Sequence, residues 1–311
     1  MTPSYFSRLL LLSSGSFFLV FMILAAIVSW IAPAAVRRAA SMRPQQAARW
    51  LLTLRLLPAS LSAMVVALLC VPSYLRFEPH IPGEEAGVVC LAAALLGLSI
   101  LGLALYRALS ALIRSAAYLG QCDGRESQLN GEKIWIVPDG AGLALAGIVR
   151  PRLLISERAA AHLSSDQLAV ALQHERAHRA SRDNLKRLLI QLAPAVFPRL
   201  RTLEQAWIQC AEWAADDRAT EGDPDRSTAL AAALVQVARL QSGFPMPALV
   251  TSLVAADEDL AQRVNRILDA PAIAEPNRRF ELFAFSSAAI LIAILAMNLR
   301  MVHLLLESLL D

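Results

Sequence analysis

The chain has 311 residues, 56% of them hydrophobic, and its mean hydropathy of +0.49 excludes a wholly water-soluble protein. Its formal charge is only +3, and the excess is local: residues 115–277 hold 17 basic against 20 acidic side chains, while the apolar flanks hold 12 against 6. Base gathered beside apolar segments marks membrane edges, not a nucleic-acid face. Four cysteines with no CxxC spacing exclude a disulfide scaffold and a cysteine-rich zinc module, so any metal needs His and carboxylate ligands.

Four stretches are long and apolar enough to cross a hydrocarbon core of about 30 Å: roughly 9–36, 56–75, 86–106 and 280–299. The first contains Ala32-Pro33-Ala34, which has the form of a signal-peptidase site, but the apolar run is far longer than a signal core and reads as a retained span. Between spans one and two lie Arg37, Arg38, Arg43, Arg49 and Arg55 with no acid, whereas the next loop holds Arg76 against Glu78, Glu84 and Glu85. The arginine-rich side is expected to be cytoplasmic, which puts the N-terminus outside and residues 115–277 in the cytoplasm of a multi-pass plasma or inner membrane protein. The expected division is 1–114 for three spans, 115–277 for one inserted domain, and 278–311 for the fourth span and a short outer tail.

Within the insert, Lys133–Val137 alternates around Trp135 like a strand, and glycines at 140, 142 and 147 punctuate a second extended run reaching Ile155. A helix start follows at Leu163-Ser164-Ser165-Asp166-Gln167, with Ser164 as N-cap, Gln167 three residues on, and Leu163 placed for a staple. Further helices are expected around 184–193, 203–220, 226–242 and 257–269.

The chemistry sits on two of these helices. His174-Glu175-Arg176-Ala177-His178 is an HExxH motif, whose histidines share one helical face and can reach one ion. Glu175 is about 100° round from His174, where it can touch the attacking water without binding metal. Glu212 and Asp216, also four apart, fit a third ligand and a carboxylate that orients a ligand histidine through its other ring nitrogen. The competing readings are a surface helix with two histidines and a solvated acidic face; the apolar setting of Trp213, Ala214 and Ala215 argues against the second. Asp183, about 140° round an unbroken helix from His178, is not taken as a ligand. Cys70 and Cys90 read as packing residues rather than a disulfide, and His162 and His303 as structural.

These residues resemble the BlaR/MecR-type membrane metallopeptidases, a gluzincin group related to the HtpX and CAAX prenyl proteases. The likeness extends to Ala146–Ile155, to Arg182-Asp183-Asn184, to Phe197-Pro198, to the ExxAD form of Glu212–Asp216 and to the Arg263–Leu268 segment. It implies one Zn²⁺ on His174, His178 and Glu212, with Glu175 catalytic. The antibiotic sensors of that group continue into an extracellular penicillin-binding domain that has no counterpart after the last apolar span here, so beta-lactam sensing is not carried over.

The expected architecture is a mainly α membrane protein with four transmembrane helices and a cytoplasmic α+β gluzincin domain between spans three and four. Its expected activity is zinc-dependent hydrolysis of peptide bonds at the cytoplasmic face in regulatory proteolysis or signal transduction, with a protein or peptide substrate such as a repressor or membrane protein. The strand at 143–149, with Leu143, Ala144 and Ala146, is expected to pair with an extended substrate. The outer loop and tail are too small for a ligand pocket, so an activating signal is expected from an envelope or membrane partner. The rivals are an HtpX-like quality-control protease and a catalytically silent signalling scaffold.

Overall fold

The computed structural model describes residues 5–77, 87–122, 124–129, 132–138, 142–240, 247–253 and 260–269. Three long apolar helical stretches dominate its first third: α1 (Tyr5–Ala39), a second stretch over Pro44–Phe77, and α4 (Val88–Gln121). The second comprises α2 (Pro44–Val65), a π-helical turn at Val66–Cys70 and α3 (Val71–Phe77). Pro72 has no N–H for the carbonyl one turn back, and the wider turn just before it absorbs that mismatch. The expected fourth span at 280–299 lies outside the described residues.

The arginine-rich segment expected as a loop over 37–55 is mostly helix. Only residues 40–43 separate α1 from α2, and Pro44 opens α2, where its missing N–H costs nothing. The boundary expected at 114/115 falls inside α4, which runs unbroken to Gln121 and packs Tyr118 and Leu119 against the sheet. Cys70 and Cys90 are buried free thiols.

The sheet has five strands: β1 (Arg125–Leu129), β2 (Glu132–Val137), β3 (Leu143–Ala146), β4 (Arg152–Ser156) and β5 (Val250–Ser252), in the order β1-β2-β4-β3-β5. All neighbours are antiparallel except the parallel pair β2–β4. The extended run expected to end at Ile155 is therefore a hairpin, turned at Gly147, whose φ of +99° favours glycine. The expectation for Leu143, Ala144 and Ala146 needs correction. β3 is an inner strand, with β4 on one side and β5 on the other, so it offers no open edge to an added substrate strand. Three residues, Val250–Ser252, are too few to announce a strand by alternation.

Helices cover this sheet: α5 (Glu157–His162), α6 (Ser165–Ser181), α7 (Asp183–Leu192), α8 (Pro198–Thr220), α9 (Pro224–Leu240) and α10 (Leu260–Leu268). The expected start of α6 is present as a full capping box, Ser164 and Gln167 each satisfying the other's backbone N–H. One core joins Leu143, Leu145, Leu153 and Ile155 of the sheet to Leu172 of α6 and Leu230, Leu234 and Val237 of α9. A second joins Phe21, Val28 and Ala32 of α1 and Leu51 and Leu54 of α2 to Ile190 of α7 and Leu200, Leu203 and Trp207 of α8. Burial of each large side chain contributes about 1.5–3 kcal/mol, so α8 is fastened to the long apolar helices as firmly as to its own domain.

Helices α1 and α4 touch backbone to backbone. A Cβ added at Gly97 would run into the main-chain carbonyl of Ser14, whereas one at Gly102 meets nothing within 4 Å. Gly97→Ala should therefore destabilise the protein by about 1–3 kcal/mol, the usual cost of overpacking, while Gly102→Ala leaves thermal stability unchanged or slightly raised. Melting curves of the two variants in the same detergent check this pair.

Candidate active site

α6 carries His174, Glu175 and His178, and α8 returns against it with Glu212 and Asp216; all five are buried. The Nε2 atoms of the two histidines lie 3.0 Å apart, and Glu212 Oε2 lies 3.4 Å from the first and 3.3 Å from the second. His174, His178 and Glu212 thus form a group that can hold a metal ion, with one ligand atom from each lying within 4.8 Å of the others.

The opposite faces of both rings explain why these atoms point inward. His174 Nδ1 is 3.0 Å from Asp216 Oδ1, and His178 Nδ1 is 2.7 Å from Asp183 Oδ2. A carboxylate fixes the proton on Nδ1 and leaves the Nε2 lone pair bare. Two imidazole nitrogens and a carboxylate converging in a dry space attract positive charge; Arg263 Nη2, 3.2 Å from His174 Nε2, supplies part of it from one side, and the His₂Glu donor set is of the kind that fits a metal. Titration tells the same story. Desolvation works against a charged His178, yet Glu212 and Asp183 lift its pKa to about 10, so the surroundings of this ring favour positive charge. Burial likewise opposes ionisation of Glu212, but His178, His174 and Arg263 hold its carboxyl well below the usual carboxylate range.

Glu175 behaves differently. It is fully buried, and neither carboxylate oxygen has a hydrogen-bond partner among the described residues. Burial pushes its pKa up, against the pull of the two imidazoles. A carboxylate without fixed partners among the described residues, beside the group that can hold a metal, is free to accept and release a proton.

Two supporting residues escaped the sequence reading. Asp183 was set aside because an unbroken helix would carry it round from His178, but α6 ends at Ser181. Arg182 adopts the left-handed conformation, φ +55°, and α7 restarts at Asp183 beneath the ring. The signal that could have revealed it was the pairing of Asp183 with Asn184 at a helix junction, since such residues favour starts over interiors. The second is Arg263 on α10, 1% exposed, which grips Asp216 with two bonds of 2.7 Å, donates to Leu253 O at 2.7 Å, and stands 3.5 Å from Glu212. Burial would raise the Asp216 pKa, yet Arg263 and His174 bring it down to about 2. A single arginine in a short amphipathic helix carries no sequence signal for this role.

Asn184, next to Asp183, donates to Leu145 O at 3.0 Å and Gly147 O at 2.8 Å, tying the α6–α7 junction to β3. Arg218 on α8 donates to Ala177 O at 3.4 Å and Ser181 Oγ at 2.6 Å, and so clamps the end of α6. Asp183→Asn keeps the side-chain shape but loses the charge that makes His178 a strong donor, and should weaken metal affinity about 10- to 100-fold. Asp217→Asn, whose side chain pairs with Arg266 on the outer face of α8, should leave affinity unchanged; competition against a chromogenic chelator measures both.

No curated protein matches the chain. The family model described as BlaR1 peptidase M56 matches residues 89–267, from the first turn of α4 to α10. That match takes in the HExxH helix, Glu212, Asp216 and Arg263, and covers more than half of the sequence. With three helices among the described residues long and apolar enough to cross a membrane and a buried group of side chains that can hold a metal, the chain belongs to the BlaR1 peptidase M56 family.

Proposed function

We propose that this peptidase is an integral membrane zinc endopeptidase that cuts protein substrates at the cytoplasmic face of the membrane, in regulatory proteolysis. The observation that carries the reading is the convergence of His174 Nε2, His178 Nε2 and Glu212 Oε2 beside the unpartnered Glu175 carboxylate. Zinc is the ion favoured by a His₂Glu set, and when bound it supplies a Lewis acid for the scissile carbonyl and acidifies its water. Glu175 takes the proton of the attacking water and delivers it to the leaving amine. Asp216 and Asp183 hold the two imidazoles in the required tautomer, and Arg263 keeps Asp216 ionised.

The cytoplasmic placement rests on the arginines. Arg37 and Arg38 are exposed at the end of α1, and the side-chain amide of Gln45, in the next turn of chain, lies 2.7 Å from Arg218 Nη2. The arginine-rich end of the long helices is therefore the end that carries the catalytic helices, and that end faces the cytoplasm by the positive-inside rule. Single cysteines placed at Asp166 and Arg43 should resist an impermeant thiol reagent in intact cells and react once the cells are opened. Labelling of Asp166→Cys from outside would overturn the orientation.

Metal ligands and proton carrier have separable signatures. His174→Ala, His178→Ala and Glu212→Ala should each lose zinc and peptidase activity together, because an incomplete set holds the ion weakly. Glu175→Gln should retain zinc while turnover drops by about 10²- to 10⁴-fold. Zinc content measured beside cleavage of a cytoplasmically exposed reporter separates enzyme from silent scaffold. Wild-type protein isolated without stoichiometric zinc, or Glu175→Gln cutting at the wild-type rate, would falsify the mechanism.

A further inference from the structure

The α7–α8 connection carries a surface that catalysis does not use. From Leu188 to Pro198 the sequence reads LLIQLAPAVFP, eleven residues with no charge. Ile190 and Ala193 point into the protein at 1% and 3% exposure, yet Leu189, Leu192 and Val196 stand 41%, 42% and 43% exposed. Contiguous apolar exposure of this kind has to be matched by an apolar neighbour.

Two contacts fix where the connection lies. Arg55 in α2 reaches Glu204 in α8 at 3.4 Å, and Gln45 meets Arg218, so the two helices run antiparallel. Arg55 immediately precedes the apolar stretch 56–75, so Glu204 is level with its inner edge. Pro198, six residues before Glu204, lies about 9 Å farther along α8 at 1.5 Å per residue, in the direction of the span. The packing agrees: Leu56, Leu57, Ala59 and Val66 of the apolar stretch share a cluster with Ala195, Phe197 and Leu200.

The turn is also built for a place without water. Pro194 and Pro198 have no N–H to satisfy, and Arg55 Nη2 donates to Ala193 O at 2.8 Å. Non-helical backbone tolerates hydrocarbon only when its polar groups are met by protein. Beyond the apolar run, Arg199 and Arg201 are exposed, and no acid occurs between Asp183 and Glu204. Arginines at a depth of several ångströms extend their guanidinium groups back to anionic headgroups.

We infer that the α7–α8 connection inserts, through Leu189, Leu192 and Val196, into the headgroup–acyl boundary of the cytoplasmic leaflet, with Arg199 and Arg201 on anionic lipid. This rests on the membrane reading given above. An insertion of about 5–10 Å is the usual depth of an interfacial amphipathic element. It deepens the proposed function, because Glu212 lies eight residues past Glu204, or about 12 Å along α8. The scissile bond is then drawn from chain lying within about one helix diameter of the membrane surface.

The test uses the unmodified protein in nanodiscs containing anionic lipid and a phospholipid with an acyl-chain diazirine. After photolysis, trypsin releases peptide 188–199 intact, with 9–37 from α1 as the membrane reference and the charged peptide 219–226 as the aqueous one. Peptide 188–199 should carry adducts on the order of tenfold above 219–226, mapped to Leu189, Leu192 and Val196 and sparing Ile190 and Ala193. Adduct yield in 188–199 no higher than in 219–226, with 9–37 labelled, would overturn the inference and leave the membrane reading intact. Failure of 9–37 to label would overturn both.

Discussion

Everything at the catalytic centre depends on forcing three electron-pair donors into one dry space. Two unit charges about 4 Å apart interact by ~1 kcal/mol in water and ~4 kcal/mol at the effective dielectric of a protein edge. Burial of His174, His178, Glu212 and Asp216 therefore multiplies both the repulsion among the donors and the attraction of whatever cation relieves it. Breaking one partner of such a buried set is costly, since it strands the remaining charge. The ring of supporting groups follows from this constraint: Asp183 and Asp216 aim the imidazoles, Lys186 holds Asp183 at 2.7 Å, and Arg263 holds Asp216. Of these buried side chains, the Glu175 carboxylate has no hydrogen-bond partner among the described residues, the condition the proposed proton carrier needs.

α8 is where that centre meets the rest of the molecule. One face supplies Glu212 and Asp216, while Leu200, Leu203 and Trp207 pack among α1 and α2. The ligand geometry is thus referred to the long apolar helices through a single rigid rod of 23 residues, with Arg55 and Gln45 as lateral ties. A displacement of α2 would reach Glu212 with no intervening loop to absorb it. Coupling of this sort is a property of packed, two-position interfaces more than of any residue pathway.

Most of this was legible where the local code is redundant. HExxH on a capped helix states both the spacing of the ligands and the face they share, and Glu212 and Asp216 repeat that spacing on the facing helix. The three described long helices follow from length and composition. What could not be read was set by tertiary contact. The left-handed break at Arg182 interrupts a pattern that periodicity would continue, and it hid Asp183. β5 is too short to carry a period, so the burial of β3 between two neighbours was invisible. Arg55 looked like one more cytoplasmic arginine, although it is 1% exposed and bonded to Ala193 just past α7 and to Glu204 on α8, both more than 130 residues away.

The junction at Arg182 joins two systems that are otherwise separate. Asp183 reaches the metal-binding imidazole of His178, while its neighbour Asn184 holds two carbonyls of the β3 hairpin, so adjacent side chains anchor the sheet and the catalytic centre to the same turn. The left-handed backbone between α6 and α7 costs about 1 kcal/mol or more, and these anchors over-determine it. Local opening of the protein therefore has no step that frees one side alone. The turn, the end of β3 and the His178 ring share one set of anchors, so amide protection at the end of β3 reports on the turn that Asp183 and Asn184 hold.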